Sequence, residues 1–176
     1  MAIKVDLDGN IYLAGLTSGN LDGQLNAGSQ DGFLTKLDSS GNLVWTRLFG
    51  SIQADVVTAL DLDSAGHLWI GGYSAGEIGT HTNSGGQDAF VIKYDNAGNL
   101  LGDQLFATAG DDYIFGLAAT AEGGVEVTGW TTGNLGGPNA GGRDIFVAKI
   151  VPEPASAALL LVGGALLGLR RNRKTL

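Results

Sequence analysis

Gly66-His67-Leu68-Trp69-Ile70-Gly71-Gly72 is the stretch that decides the fold, because the chain contains it three times. The earlier copy is Gly9-Asn10-Ile11-Tyr12-Leu13-Ala14-Gly15 and the later one is Gly123-Gly124-Val125-Glu126-Val127-Thr128-Gly129, with steps of 57 residues. Leu68 and Ile70 are matched by Ile11 and Leu13 and by Val125 and Val127, apolar in every copy. The position between them is Trp69, Tyr12 or Glu126. One constant apolar face alternating with a variable one is the period-two pattern of a β-strand. The variable position is expected to face outward or a neighbouring element.

A second block keeps the same register. Asp31-Gly32-Phe33-Leu34-Thr35-Lys36-Leu37-Asp38 returns as Asp88-Ala89-Phe90-Val91-Ile92-Lys93-Tyr94-Asp95, and as Asp144-Ile145-Phe146-Val147-Ala148-Lys149-Ile150 one residue early. Within the period 31–87 the pattern predicts four strands, near 33–37, 43–49, 56–62 and 68–73. Asp38-Ser39-Ser40-Gly41-Asn42 and Asp63-Ser64-Ala65-Gly66-His67 read as hairpin turns, since Asp and Ser bond the local backbone and glycine adopts positive φ cheaply. The glycine-rich stretch 76–87 is expected to cross to the next unit. Phe33, Phe90 and Phe146 are expected in the core, with Asp31, Asp88 and Asp144 bonding backbone amides at the strand entrances.

Four antiparallel strands repeated in tandem describe the blade of a β-propeller, and a flat β-solenoid is the competing geometry. The expectation is an all-β region over 1–150, an incomplete β-propeller of about two and a half repeats, with blade breaks near 30/31, 87/88 and 143/144 and its first and last blades incomplete. No helix is expected before residue 152. Glycine, 30 of 176 residues, is about 17% against a usual ~7%, which suits many tight turns. A closed propeller needs at least ~4 blades, and the chain opens midway through one without a secretory signal, so it is expected to be a fragment that has lost its front end.

Charge divides the chain. Up to residue 152 there are 17 acidic and six basic side chains; beyond it stand one acid and four bases. An acidic body is not held on nucleic acid by phosphate attraction. The absence of cysteine excludes disulfides and thiolate metal sites. After Ile150 the composition changes: Val151-Pro152-Glu153-Pro154, then an uncharged apolar run over 155–169, then Arg170-Arg171-Asn172-Arg173-Lys174. The run is apolar on every side, which favours a membrane-inserted helix over a buried one. The bases Arg170, Arg171, Arg173 and Lys174 would flank the membrane on its cytoplasmic side. The two prolines keep 152–154 extended and block the helix from growing upward.

Two resemblances attach to these residues. The repeated D-[AG]-F-[VL]-x-K-x-D-x-x-G-N-L and G-x-[LIV]-x-[LIV]-x-G-x-[TS] patterns resemble the bacterial SBBP β-propeller repeat over most of 1–150, which implies a secreted or surface propeller. The tail 151–176 resembles the PEP-CTERM sorting signal, with Pro152, Glu153 and Pro154 as its box, 155–169 as its transmembrane helix and 170–174 as its basic end. That resemblance implies an exosortase as partner, cleavage near the box, and delivery to the cell surface or exopolysaccharide matrix.

No catalytic constellation emerges. His67 lies in a turn where the other copies have Asn10 and Gly124, and His81 in a variable loop. Asp6-Leu7-Asp8-Gly9-Asn10 and Asp61-Leu62-Asp63 faintly resemble calcium loops but lack the glutamate at the twelfth position. No Gly-Lys-Ser or Gly-Lys-Thr marks a phosphate loop. Trp45, Trp69 and Trp130, with Tyr12 and Tyr73, suit either core packing or a sugar-stacking surface. The expectation is a non-enzymatic, exported scaffold without cofactor or metal, interacting or adhering in the matrix. The alternative is a carbohydrate-binding or polysaccharide-degrading propeller whose active part lies in further blades.

Overall fold

The computed structural model describes residues 1–151. The box, the apolar run and the basic end lie outside the described residues, so the helix expected at 155–169 is not among them. Eleven strands make up the fold: β1 (Ala2–Val5), β2 (Ile11–Thr17), β3 (Asp31–Leu37), β4 (Leu43–Phe49), β5 (Asp55–Leu62), β6 (Leu68–Ser74), β7 (Asp88–Tyr94), β8 (Leu100–Phe106), β9 (Asp112–Ala119), β10 (Val125–Thr131) and β11 (Asp144–Ile150). They form three antiparallel meanders in chain order: β1-β2-β3-β4, β5-β6-β7-β8 and β9-β10-β11. The four strands expected within 31–87 are β3 to β6, each within two residues of its expected bounds.

Strand grouping departs from the repeat boundaries. The sheets divide at 50–54 and 107–111, whereas the repeat register suggested breaks before Asp31, Asp88 and Asp144. A period fixes the length of a unit but not the strand with which a sheet begins. The long loop 75–87 does not cross between units either. It returns β7 antiparallel onto β6, pairing Ser74 with Asp88, and anchors itself by burying Ile78 among residues of the first two sheets.

The opposite end of each hairpin is closed by one recurrent turn. Gly9, Gly41, Gly66, Gly98 and Gly123 all have φ near +80°. Each donates its N–H to the carbonyl three residues earlier, on Asp6, Asp38, Asp63, Asp95 or Thr120. Only glycine takes that conformation without a Cβ penalty. The carboxylate of Asp38 also accepts from the backbone N–H groups of Ser40 and Asn42 and from the Asn42 amide, so turn and side chain specify one geometry.

The sheets stack face to face through two apolar seams. Tyr12, Ala14, Leu34 and Phe49 of the first sheet meet Val57, Leu68, Ile70, Phe90 and Ile92 of the second. On the other side of the second sheet, Trp69, Ala89 and Val91 meet Ile114, Val125, Val127, Phe146 and Ala148 of the third. Leu68 and Ile70 are fully buried, as their alternation requires, and Trp69 on the opposite face is buried against the neighbouring sheet. Phe90 and Phe146 are core residues, but Phe33 is only half-buried. Its face of the first sheet has no sheet stacked on it among the described residues.

Candidate functional site

The two ends of the sheets carry different chemistry. At the turn end the repeated lysines each meet the variable strand position. Lys36 Nζ stands 5.4 Å from the centre of the Tyr12 ring and Lys93 Nζ 4.5 Å from that of Trp69. Where the third copy has Glu126 in place of an aromatic, Lys149 pairs with it at 3.7 Å. A cation is attracted by a ring face or by a carboxylate, so lysine suits all three.

The histidines are engaged locally. His67 Nδ1 lies 3.0 Å from Asp63 Oδ2, which also receives Lys93 Nζ at 3.3 Å. Burial pushes the Asp63 carboxyl up, but hydrogen bonds from His67 and Lys93 outweigh it and hold the group below its ordinary range. His81 Nε2 lies 3.3 Å from Asp103. In the two calcium-like loops Asp6, Asp61 and Asp63 are likewise occupied, and Asp8 is exposed. Asp6 accepts from the N–H groups of Asp8 and Asn10, the Asn10 amide and the Tyr12 hydroxyl. Asp61 pairs with Lys4 and accepts from the Ala119 N–H. These groups fasten turns and sheets together.

At the loop end stands a row of aspartates, one opening each of β3, β5, β7, β9 and β11. Asp31, Asp55, Asp88, Asp112 and Asp144 each accept the backbone N–H four residues earlier, from Ala27, Ser51, Ser84, Thr108 and Ala140, at 2.6–2.7 Å. The amide-bonding role read for Asp31, Asp88 and Asp144 is therefore seen, and two further members belong to the row. Asp55 and Asp112 escape a search at 57-residue steps for strand-opening Asp-x-Phe, because their strands open Asp-Val-Val and Asp-Tyr-Ile.

The row is paired across the seams. The Asp55 N–H donates to the Gln30 carbonyl at 2.8 Å and the Asp112 N–H to the Gln87 carbonyl at 2.6 Å. This brings Asp31 beside Asp55 and Asp88 beside Asp112, all four buried. Burial pushes the Asp55 and Asp88 carboxyls above their ordinary range, reinforced by the like charge of Asp31 and Asp112 respectively.

A third feature is an aromatic group formed by β9 and β10 of the third sheet with Tyr73 of β6. Tyr113 stacks on Phe115 with 5° between planes, contacts Tyr73 and Trp130 at 4.4 and 4.2 Å, and Arg143 caps Trp130 at 4.1 Å. Phe115 is half exposed. Of the tryptophans and tyrosines read as either core or sugar platform, Tyr12 and Trp69 are core. Trp130 and Tyr73 belong to this partly open group, and Trp45 is half-buried against the turn at Asn96.

Comparison with known proteins bears on both parts of the chain. Residues 151–174 match the PEP-CTERM protein-sorting motif. Its box, Pro152, Glu153 and Pro154, and its basic residues Arg170, Arg171, Arg173 and Lys174 lie outside the described residues. The motif implies an exported protein sorted by exosortase. Over 92 residues the chain is 38% identical to Regulatory protein FlaEY of Caulobacter vibrioides, an alignment covering 48% of this chain and 10% of that protein.

Proposed function

We propose that the chain is an exported, non-enzymatic surface or matrix protein. Its repeat region is an SBBP-type propeller scaffold, and its tail is cleaved by exosortase after holding the protein in the membrane. The observation that carries this reading is the sorting motif at 151–174 behind a β-rich repeat body. Stacked meanders with five recurrent turns suit a scaffold, and both histidines are paired with aspartates. The partner after sorting is the exopolysaccharide matrix.

Mass spectrometry of the mature protein from cells carrying the matching exosortase tests this. The expected product lacks everything beyond the Pro152-Glu153-Pro154 region, and converting that box to alanines leaves the protein uncleaved and membrane-held. Replacing Leu160 and Leu161 by Asp, each costing roughly 2.5–3.5 kcal/mol at a helix centre, should instead prevent insertion. An exported protein still ending at Leu176 would leave the tail as a plain anchor.

One observation favours a second reading, carbohydrate binding without catalysis. Tyr113, Phe115 and Trp130 present ring faces beside the Arg143 guanidinium, and such faces suit the apolar patches of sugar rings. A glycan array probed with the protein and with Trp130→Ala distinguishes it from a pure scaffold.

A further inference from the structure

We propose that the seam between the second and third sheets binds a calcium ion through the carboxylates of Asp88 and Asp112. Three oxygens in this seam are buried and lack any hydrogen-bond donor: Asp88 Oδ1, Asp112 Oδ1 and Gln87 Oε1. Both aspartates are fully inaccessible. Each has its Oδ2 fixed by a backbone amide, Ser84 N–H at 2.6 Å and Thr108 N–H at 2.6 Å. The second oxygen of each is thereby left over. Among the described residues no lysine, arginine or histidine pairs with either group. Two neighbouring buried carboxylates without a counter-charge are costly, and buried charges are ordinarily paired or bound to metal.

The donor set selects the ion. All three free atoms are oxygens, two carboxylate and one amide, with no imidazole or thiolate in the seam. Hard cations take such ligands, and calcium accepts amide and carboxylate oxygens in irregular shells where magnesium holds to an octahedron of waters. A shallow depression lined by Ala107–Gly110 and Thr132–Asn134 lies at the same end of the sheets. Thr108, which bonds Asp112, is part of that lining.

The first seam supplies the internal control. There the Ser74 hydroxyl donates to Asp55 Oδ1, so only Asp31 Oδ1 is left without a donor. Ser74 and its equivalent Thr131 both meet the carbonyl two residues on, at Gly76 and Gly133, but only Ser74 also reaches its aspartate.

Thermal unfolding of the full chain in detergent, with calcium chloride or with EDTA, tests the proposal, alongside calorimetric titration of calcium into the chelated protein. At calcium about a hundredfold above Kd, Tm should rise on the order of 5–10 °C. Asp88→Asn and Asp112→Asn should each remove that rise, and Asp31→Asn should keep it. If the Asn variants fail to fold, the titration of the unaltered chain decides. Absence of both binding and a Tm shift overturns the proposal. So does a calcium shift that survives in both variants. Stabilisation by Asp112→Asn at neutral pH, indifferent to calcium, overturns it too and assigns the pair a shared proton.

Discussion

The first and second seams descend from one repeated pattern, yet their buried acids are solved differently. In the first, Gly50 lies against the pair. A Cβ there would come 2.7 Å from Asp55 Oδ2 and 2.9 Å from Asp31 Oδ1. In the second, Ala107 occupies the equivalent position, so a methyl group is accommodated there. The first seam is drawn tight and closed by a serine hydroxyl. In the second, two carboxylate oxygens have no donor. The aspartates fasten a backbone amide in both seams, and what differs is the second oxygen, which has a donor on Asp55 alone of the four.

The comparison breaks most visibly in the apolar layer. Phe90→Ala, at a residue fully buried in the first seam, should cost about 3–5 kcal/mol. Phe146→Ala in the second seam should cost about the same. The repeat-equivalent Phe33→Ala, on an uncovered face, should cost only about 1–2 kcal/mol. Urea unfolding of the three variants checks the order, and equal losses would mean that the outer face of the first sheet is covered in solution.

Next in size is Gly50→Ala, which forces a methyl against two carboxylates and should cost about 1–3 kcal/mol. Ala107→Gly should cost only about 0.5–1 kcal/mol, through chain entropy. Similar losses at both sites, measured by thermal unfolding, would mean that the two positions are equally crowded. Ser74→Ala should cost about 1–3 kcal/mol by leaving Asp55 Oδ1 without its donor. It should also make the first seam resemble the second, which a newly acquired second calcium equivalent in titration calorimetry would report.

The smallest expected effect is on pH dependence. Asp55 and Asp88 sit above the ordinary carboxylate value of 3.8 in the folded state, so the folded chain holds their protons more tightly than the unfolded one. Their contribution is fullest below that value and is lost as pH rises through the raised values. Asp63 and Asp61 sit below it, and their contribution is lost as pH falls. In chelator, Asp88→Asn should flatten the loss on the rising side and leave the acid limb unchanged. Tm measured from pH 3 to pH 7 separates the two limbs.

The alternation at Leu68 and Ile70, the hairpin turns and the four strands per period were legible because each is a local rule repeated at fixed distance. The sheet boundaries were not. Whether β7 returns to β6 or moves to another sheet is a matter of tertiary packing, in which Ile78 of the intervening loop is buried, and periodicity contains no trace of that. The lysines at 36, 93 and 149 were visible as a repeated residue, but their partners were not, since aromatic rings and Glu126 share no chemical class. Asp55 and Asp112 were hidden for a related reason. They repeat among themselves, but their bond to the strand-opening aspartates Asp31 and Asp88 exists only across a seam.

Each of the three sheets is built from one unbroken stretch of chain, with neighbours in sequence as neighbours in space. Such pairings close short loops, and short closures are fast. A protein sorted through an envelope must first cross a membrane. Here every sheet can zip as soon as its own fifty or so residues have emerged, each completed one offering its apolar face as the template for the next. The order of strands is thus also an order of assembly.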